Sequence, residues 1–209
     1  MVHFALKDQA FLTTHFQYGI EPFSLKLMTS PNTTASTSFL FLGDSLIADN
    51  NWQSRIPLCK VYNCGVSGST AQDLLDSLPD ISRSVLEPAA VLVMIGTNDI
   101  LSENFSFVDT IRQIIVRIRK SFPSAEIIIT SLLPMTLPFL AQDTITRLNS
   151  NIEAVSIQTG CCYLDIHKKF LQSKNVDLFQ EDGVHLTSKA YELWTRSFLE
   201  HVSLLIEND

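Results

Sequence analysis

The stretch Phe39-Leu40-Phe41-Leu42-Gly43-Asp44-Ser45-Leu46 is the point around which this chain is organised. Its four apolar residues predict a short buried strand, which ends at the glycine. Ser45 follows at once, so its hydroxyl is expected at the carboxyl end of the strand, where open α/β sheets hold their functional sites. Most serines at such positions are turn residues or helix caps, so Ser45 needs support from other parts of the chain.

Three further motifs supply that support. They are Asn63-Cys64-Gly65-Val66-Ser67-Gly68, Gly96-Thr97-Asn98-Asp99 and Asp182-Gly183-Val184-His185. Together with the Ser45 stretch, they resemble the four blocks of the SGNH hydrolases, also called GDSL lipases/esterases. The resemblance extends from about Phe39 to Ile206. One block alone is a weak signal, whereas four blocks in the right order on the expected elements are a specific one.

Predicted strands and helices alternate between these motifs. The clearest strand, over 89–95, is apolar on both faces, as in the centre of a parallel sheet. Other strands are predicted over 60–63, 125–130 and 162–165, and the main helices after Thr70, over 108–120, over 140–159 and over 187–205. The alternation predicts an α/β fold, a three-layer α/β/α sandwich around a five-stranded parallel sheet. The resemblance makes this the flavodoxin-like SGNH hydrolase fold.

The resemblance also assigns a catalytic triad. Ester hydrolysis by a serine requires an imidazole within hydrogen-bond reach of the hydroxyl and an acceptor on the far nitrogen of the imidazole. The family pattern makes Ser45 the nucleophile, His185 the general base and Asp182 the acid partner of His185. Gly183 permits a tight turn between the last two. The Gly-x-Ser-x-Gly elbow of α/β-hydrolases is absent from the sequence.

An oxyanion hole is implied by the same pattern. Its three donors are the backbone N–H of Ser45, the backbone N–H of Gly68 and the side-chain amide of Asn98. Gly65 competes with Gly68 for the second position, but the family pattern Asn-x-Gly-x-x-Gly favours the later glycine. Taken alone, Asn98 would be interpreted as a turn residue.

The remaining polar residues near the motifs are predicted to be structural. Asp44 and Asp99 are expected to accept hydrogen bonds from backbone N–H groups, and Asn63 to support its loop. His167 is interpreted as a surface residue at a helix start rather than as a second base. No His/Asp/Glu cluster suggests a metal site, and the mechanism needs neither a metal nor a cofactor.

The apolar segment 132–139 is predicted to form a wall of the acyl or leaving-group pocket, with Leu133 and Pro134 as substrate-binding residues. The alternative is that it packs against the N-terminal segment. Leu133-Pro134, Asn149 and the stretch 182–186 look similar to the branch that contains platelet-activating-factor acetylhydrolase-like proteins. Small-acyl esterases are common in that branch, so the resemblance favours an acetylesterase-like activity.

Two alternative functions stay open at this point. A thioesterase or lysophospholipase would carry the same motifs with a longer acyl pocket. A non-catalytic ligand-binding protein would keep the fold without the reaction, although all the expected reactive residues are present in this chain.

The partner that the resemblance implies is a small-molecule ester, which composition does not exclude, because a neutral substrate leaves no charge signature. The 209 residues carry a net charge of −7 with scattered basic residues, which argues against nucleic acid. No apolar run approaches the roughly 18 residues of a membrane span, and the first residues do not form a secretory signal. The spacing of Cys59, Cys64, Cys161 and Cys162 does not suggest a zinc site, so we expect reduced thiols in a cytoplasmic protein.

The predicted domain organisation is an N-terminal arm and linker over 1–37 and a hydrolase domain over 38–209. The arm contains several aromatic residues and ends in a polar tail. It either covers the domain surface or contributes to the active-site rim or to a homodimer contact. The sequence leaves these alternatives open.

Overall fold

The structure is a computed structural model that describes residues 37–135, 137–174 and 177–207. Five parallel strands form one sheet in the order β2-β1-β3-β4-β5. They are β1 (Ser38–Gly43), β2 (Lys60–Gly65), β3 (Ala90–Met94), β4 (Glu126–Thr130) and β5 (Cys162–Leu164). The predicted five-stranded parallel sheet is therefore confirmed, and the strand that is apolar on both faces, β3, lies at its centre.

Eight helices follow or precede these strands in the described part of the chain. They are α1 (Ser45–Ala48), α2 (Trp52–Arg55), α3 (Ala71–Ser84), α4 (Thr97–Leu101), α5 (Phe107–Ser121), α6 (Thr144–Thr159), α7 (Ile166–Gln172) and α8 (Ser188–Glu207). The short helices α2 and α4 were not predicted, because one or two turns contain too few residues to show a helical period, and of α7 only the start near His167 was predicted. Helix α6 begins at Thr144, four residues after the start predicted at 140.

The sheet separates two hydrophobic cores, because successive side chains of a strand point to opposite faces. On one face, Leu40 and Val91 pack with the apolar sides of α3, α5 and α6. On the other face, Phe39 and Leu92 pack with α2, α7 and α8. This arrangement confirms the predicted three-layer α/β/α sandwich.

The register of the sheet brings three of the four motifs to one edge. Gly43 pairs with Gly65 of β2 on one side and with Met94 of β3 on the other. A Cβ atom on Gly43 would lie 2.1 Å from the carbonyl oxygen of Met94, and one on Gly65 would lie 2.4 Å from the backbone nitrogen of Ala48. Both positions therefore require glycine for close backbone packing.

Strand β1 begins at Ser38, the first residue of the predicted hydrolase domain. The predicted arm and linker lie outside the described residues, apart from Thr37. All four cysteines are free, with Cys59 buried in the core beside α2 and α8. None of the helices in the described ranges is long and apolar enough to cross a membrane.

Candidate active site

Ser45 is the first residue of α1 and is half-buried at the carboxyl end of β1. Asp44 caps this short helix, since its Oδ1 accepts a hydrogen bond from the N–H of Leu46 at 3.0 Å. Within the described ranges, the N–H of Ser45 itself is bonded to no acceptor. The turn therefore presents a hydroxyl and a free N–H on the same residue.

Buried aromatic side chains hold the carbonyl end of α1, which is too short to be stable alone. The hydroxyl of Tyr191, in α8, donates to the carbonyl oxygen of Leu46 at 3.0 Å. The indole N–H of Trp52 donates to the carbonyl oxygen of Ile47 at 2.8 Å. These two contacts were not predicted from sequence, because nothing local to either aromatic residue indicates its partner.

Asn63 fastens the same turn to β2. Its side-chain amide donates to the carbonyl oxygens of Ile47, Ala48 and Asn50 at 3.1, 3.2 and 3.3 Å. Its Oδ1 accepts from the N–H of Gly65 at 3.1 Å. The predicted supporting role of Asn63 is confirmed, and the N–H of Gly65 is already engaged.

The loop that carries Asp182 and His185 is shaped by local hydrogen bonds. Phe179 and Leu186 form an antiparallel bridge, and the N–H of Gln180 donates to the carbonyl oxygen of His185 at 2.7 Å. Gly183 lies at the tip with φ of +69°, a conformation that favours glycine. The loop therefore folds back on itself directly before α8.

Asp182 is bound tightly to His185. One carboxylate oxygen accepts from the N–H groups of Val184 and His185, both at 2.9 Å, and the other lies 2.5 Å from His185 Nδ1. The hydrogen bond from the imidazole, followed by those from the two N–H groups, lowers the pKa of Asp182 to about 2. Asp182 is therefore an anion at neutral pH and accepts a hydrogen bond from Nδ1–H of His185.

The other imidazole nitrogen faces the serine. His185 Nε2 lies 3.1 Å from Ser45 Oγ. Because the Asp182 carboxylate accepts from Nδ1, Nε2 of the neutral imidazole has a free lone pair to accept the Ser45 proton. The three residues assigned from sequence thus form one hydrogen-bonded chain, although 140 positions separate the serine from the histidine.

Two further polar groups of the motifs are the other predicted oxyanion donors. Gly68 is exposed with φ of +84°, and in the described part of the chain its N–H is bonded to no acceptor. The side-chain amide of Asn98, in α4, donates one hydrogen to the carbonyl oxygen of Ser69 at 2.9 Å. Its second hydrogen remains for another acceptor.

Asp99 connects the second and third motifs. One carboxylate oxygen accepts from the N–H of Ala71 at 2.8 Å, and the other from the side chain of Asn104 at 3.1 Å. Burial raises the pKa of Asp99, while these hydrogen bonds oppose the rise. The predicted role of Asp44 and Asp99 as acceptors of backbone N–H groups is confirmed.

The segment after β4 is divided between core and surface. Leu133 is 1% exposed and packs in the core with α8, whereas Pro134 is half-buried. Asn149 holds the start of the segment, because its side chain accepts from the N–H of Leu132 at 2.7 Å and donates to the carbonyl oxygen of Leu132 at 3.1 Å. Of the two predicted substrate-binding residues, Pro134 therefore offers the larger surface.

A cleft of about 470 Å³ lies between the start of α6 and the segments that follow α4 and β4. Its lining residues are Phe105, Phe139, Leu140, Ala141, Thr144, Arg147, Leu148 and Asn151. Neither Ser45 nor His185 lines it, and Phe105 was not singled out in the sequence.

His167 is the second residue of α7, which confirms its predicted place at a helix start, although it is half-buried. Its N–H donates to Ser131 Oγ at 2.7 Å, and burial lowers the pKa of its imidazole. Among the residues that the structure describes, no group of three or more His, Cys, Asp or Glu side chains could hold a metal ion.

A family model described as the GDSL-like lipase/acylhydrolase family matches residues 41–193, which confirms the family predicted from the four motifs. A comparison with curated protein sequences finds no match.

Several solved structures share the fold. A GDSL-like lipase from Bacteroides thetaiotaomicron is 19% identical with a TM-score of 0.66, over 90% of this chain and 98% of that one. A Streptococcus pneumoniae protein named for platelet activating factor is 18% identical with a TM-score of 0.68, over 94% and 98%. Axe2, an acetylxylan esterase from Geobacillus stearothermophilus, is 19% identical with a TM-score of 0.62, over 78% and 93%. At these identities the likeness establishes the fold and leaves the substrate open.

Proposed function

Because the chain belongs to the GDSL-like lipase/acylhydrolase family of ester hydrolases, we propose that it is a serine esterase that cleaves a carboxylic ester through an acyl-enzyme on Ser45. The observation that carries the proposal is the chain of contacts from Ser45 Oγ to His185 Nε2, at 3.1 Å, and from His185 Nδ1 to Asp182, at 2.5 Å. This geometry meets the requirement that a nucleophile, its base and the orienting acid lie within hydrogen-bond reach of one another.

In the proposed first step, His185 Nε2 accepts the proton of Ser45 as Oγ attacks the ester carbonyl carbon. The imidazolium that forms is stabilised by the Asp182 carboxylate. His185 then gives the proton to the alcohol as the bond from the carbonyl carbon to the alcohol oxygen breaks, which leaves an acyl group on Ser45. In the second step, water attacks the acyl-enzyme with His185 as base, and the acid is released.

The oxyanion of each tetrahedral intermediate would accept hydrogen bonds from the N–H of Ser45, the N–H of Gly68 and the side chain of Asn98. Support comes from the free donors of the structure, since the N–H groups of Ser45 and Gly68 are unengaged within the described residues and Asn98 retains one hydrogen. Gly65 is a weaker candidate, because its N–H already donates to Asn63.

The proposed acyl group is short. The side chains of His185 and Asp182 are 37% and 48% exposed, so the reacting groups lie at an open surface rather than in a long tunnel. An acetyl group buries little apolar area and gains little from a deep pocket. The acetylxylan esterase activity of a protein with the same fold, Axe2, is consistent with this choice. In this proposal Pro134 contributes to the wall beside the ester, while Leu133 supports Pro134 from the core.

The test is hydrolysis of p-nitrophenyl acetate, butyrate and octanoate at neutral pH by wild type and by Ser45→Ala. A matched control is Ser150→Ala, which removes an exposed serine hydroxyl from α6. We expect acetate to be the fastest substrate, Ser45→Ala to lose ~10⁴-fold or more in kcat, and Ser150→Ala to match wild type.

Labelling with a fluorophosphonate probe separates the alternatives. An adduct on Ser45 together with fastest turnover of octanoate would favour the lysophospholipase or thioesterase alternative over a short-acyl esterase. Absence of turnover on all three esters and of any adduct on Ser45 would overturn the esterase proposal and favour a ligand-binding protein.

A further inference from the structure

A buried carboxyl group lies directly behind the proposed nucleophile. Asp44 is fully buried, and only its Oδ1 has a hydrogen bond of regular geometry, from the N–H of Leu46 at 3.0 Å. Among the described residues, Oδ2 of Asp44 and the hydroxyl oxygen of Thr97 are both buried without such a bond. Because buried polar groups are nearly always paired, two unpaired groups on neighbouring elements call for an explanation.

The two groups lie at the same edge of the sheet, because Gly43, which precedes Asp44, pairs with Met94 of β3, and Thr97 begins the helix that follows β3. Burial raises the pKa of Asp44, and hydrogen bonding to Thr97 opposes that rise, as expected for neighbouring side chains. Thr97 is the first residue of α4, and the residue before it, Gly96, provides no side-chain cap for this helix. The carboxyl group of Asp44, which follows the end of β1, is therefore a candidate acceptor for this uncapped helix start.

The turn at the start of α1 and the start of α4 carry two of the proposed oxyanion donors. Asp44 is adjacent to Ser45, whose N–H is free, and Thr97 is adjacent to Asn98, whose amide has one free hydrogen. The hydrogen bond from Leu46 fixes the turn of Ser45 on the other side of the same carboxyl group. A single side chain thus lies beside both of the elements that carry these donors.

We propose that Asp44 is a positioning residue of the oxyanion hole, and that its carboxyl group sets the separation between the N–H of Ser45 and the side chain of Asn98. The proposal rests on the esterase function proposed above. Oxyanion donors act when they lie within about 2.7–3.1 Å of the developing charge, so a small change in their separation weakens the transition state. The ground-state ester depends less on these donors, so the effect is expected in kcat rather than in KM.

Two variants test the proposed contact between Asp44 and Thr97, each by changing one of the two side chains. Asp44→Asn keeps an oxygen for the N–H of Leu46 and replaces the second oxygen with a donor, whereas Thr97→Val removes only the hydroxyl. The control is Thr130→Val, which removes a buried hydroxyl from β4 that contacts only the carbonyl of Val93, at 3.4 Å. With p-nitrophenyl acetate, and kcat corrected by active-site titration, we expect each of the two variants to lose about 10- to 100-fold in kcat with KM within about twofold. Thr130→Val should match wild type.

A double-mutant cycle with Asn98→Ala separates positioning from a general structural role. If Asp44 acts through Asn98, Thr97→Val and Asp44→Asn should lower kcat much less in the Asn98→Ala background than in wild type. Equal fold-losses in both backgrounds, or a corrected kcat within about twofold of wild type for Thr97→Val, would overturn the proposal. Full activity of Ser45→Ala would instead overturn the esterase function itself, so the two failures are distinguishable.

Discussion

The turn that carries Ser45 and the loop that carries His185 are built in opposite ways. The Ser45 turn is held by side chains from distant parts of the chain, among them Trp52, Asn63 and Tyr191, and it encloses the buried Asp44. The His185 loop is held by bonds among residues 177–187, and its reacting side chains are partly exposed.

Because of this difference, we expect the Ser45 turn to unfold only with the whole domain and the His185 loop to open locally. The Ser45 turn can be displaced only with the core that supports it, whereas the exposed tip of the His185 loop, which lies between the buried Leu178 and Leu186, can open while the rest of the domain stays folded. Substitutions in the turn should therefore change stability and activity together. Substitutions in the loop should change activity with a smaller effect on stability.

The largest expected effects come from the acid and base of the loop. His185→Ala should lower kcat by about 10⁵- to 10⁶-fold, because no other base among the described residues is hydrogen-bonded to Ser45 Oγ. Asp182→Asn should lower kcat by about 10⁴-fold, because Nδ1 loses its anionic acceptor. Steady-state kinetics with p-nitrophenyl acetate would measure both losses, and thermal unfolding should show a much smaller change. A substantial fall in the melting temperature of either variant would contradict the inference that this loop contributes little to the global stability of the domain.

In the turn, the buried Asp44 should make stability depend on pH. Burial raises its pKa from 3.8 to about 6, so the folded state binds the proton more tightly than the unfolded chain. The favourable contribution of Asp44 is complete below pH 3.8 and is lost as the pH rises to about 6. Relative to wild type, Asp44→Asn should therefore gain stability between pH 4 and pH 8, by an amount on the order of 3 kcal/mol.

Urea unfolding of wild type and Asp44→Asn at pH 4, 6 and 8 would measure this difference. The gain in stability at pH 8 should accompany the loss in kcat, since a buried charge retained for function costs stability. A difference between the two proteins that stays constant with pH would show that Asp44 does not titrate in this range.

A smaller effect is expected for the aromatic support of α1. Tyr191→Phe removes the hydroxyl that donates to Leu46 and leaves a buried carbonyl unpaired, at a cost of about 1–2 kcal/mol. The matched control is Tyr163→Phe. The Tyr163 hydroxyl donates to the carbonyl oxygen of Asn149 over a longer distance, 3.5 Å, so its removal should cost less stability. Chemical denaturation compares the two, and Tyr191→Phe alone should also lower kcat. Equal losses of stability would argue against a special role for Tyr191.

The smallest expected change in global stability concerns two glycines with nearly the same backbone conformation. Gly183 and Gly160 have φ of +69° and +67°, and a Cβ atom would meet no neighbour at either position. Alanine should cost about 1 kcal/mol of strain in each case. Gly160→Ala, at the end of α6, should lower the melting temperature and leave kcat unchanged, whereas Gly183→Ala should lower kcat by displacing His185. If both variants keep full activity, the tip of the loop does not position the imidazole.

Much of the site was accessible from sequence because each motif is short and local. An apolar strand that ends in glycine and serine made Ser45 a candidate, which the three other motifs supported, and Asp182-Gly183-Val184-His185 contains both the predicted acid and the predicted base. The prediction that Ser45 and His185 would meet came from the family resemblance, since no local pattern relates residues so far apart.

Hydrophobic periodicity indicates which face of each element is buried. It was therefore enough to predict the alternation of strands and helices, the central position of β3 and the sheet edge at which the motifs lie. Periodicity does not record which atoms meet across the sheet. Three features therefore appeared only in the folded chain. They are the hydrogen bond from the Tyr191 hydroxyl to Leu46, the burial of Leu133 in the core, and the two unpaired buried groups on Asp44 and Thr97. They depend on the relative placement of distant elements, which is fixed by the packing of both cores together.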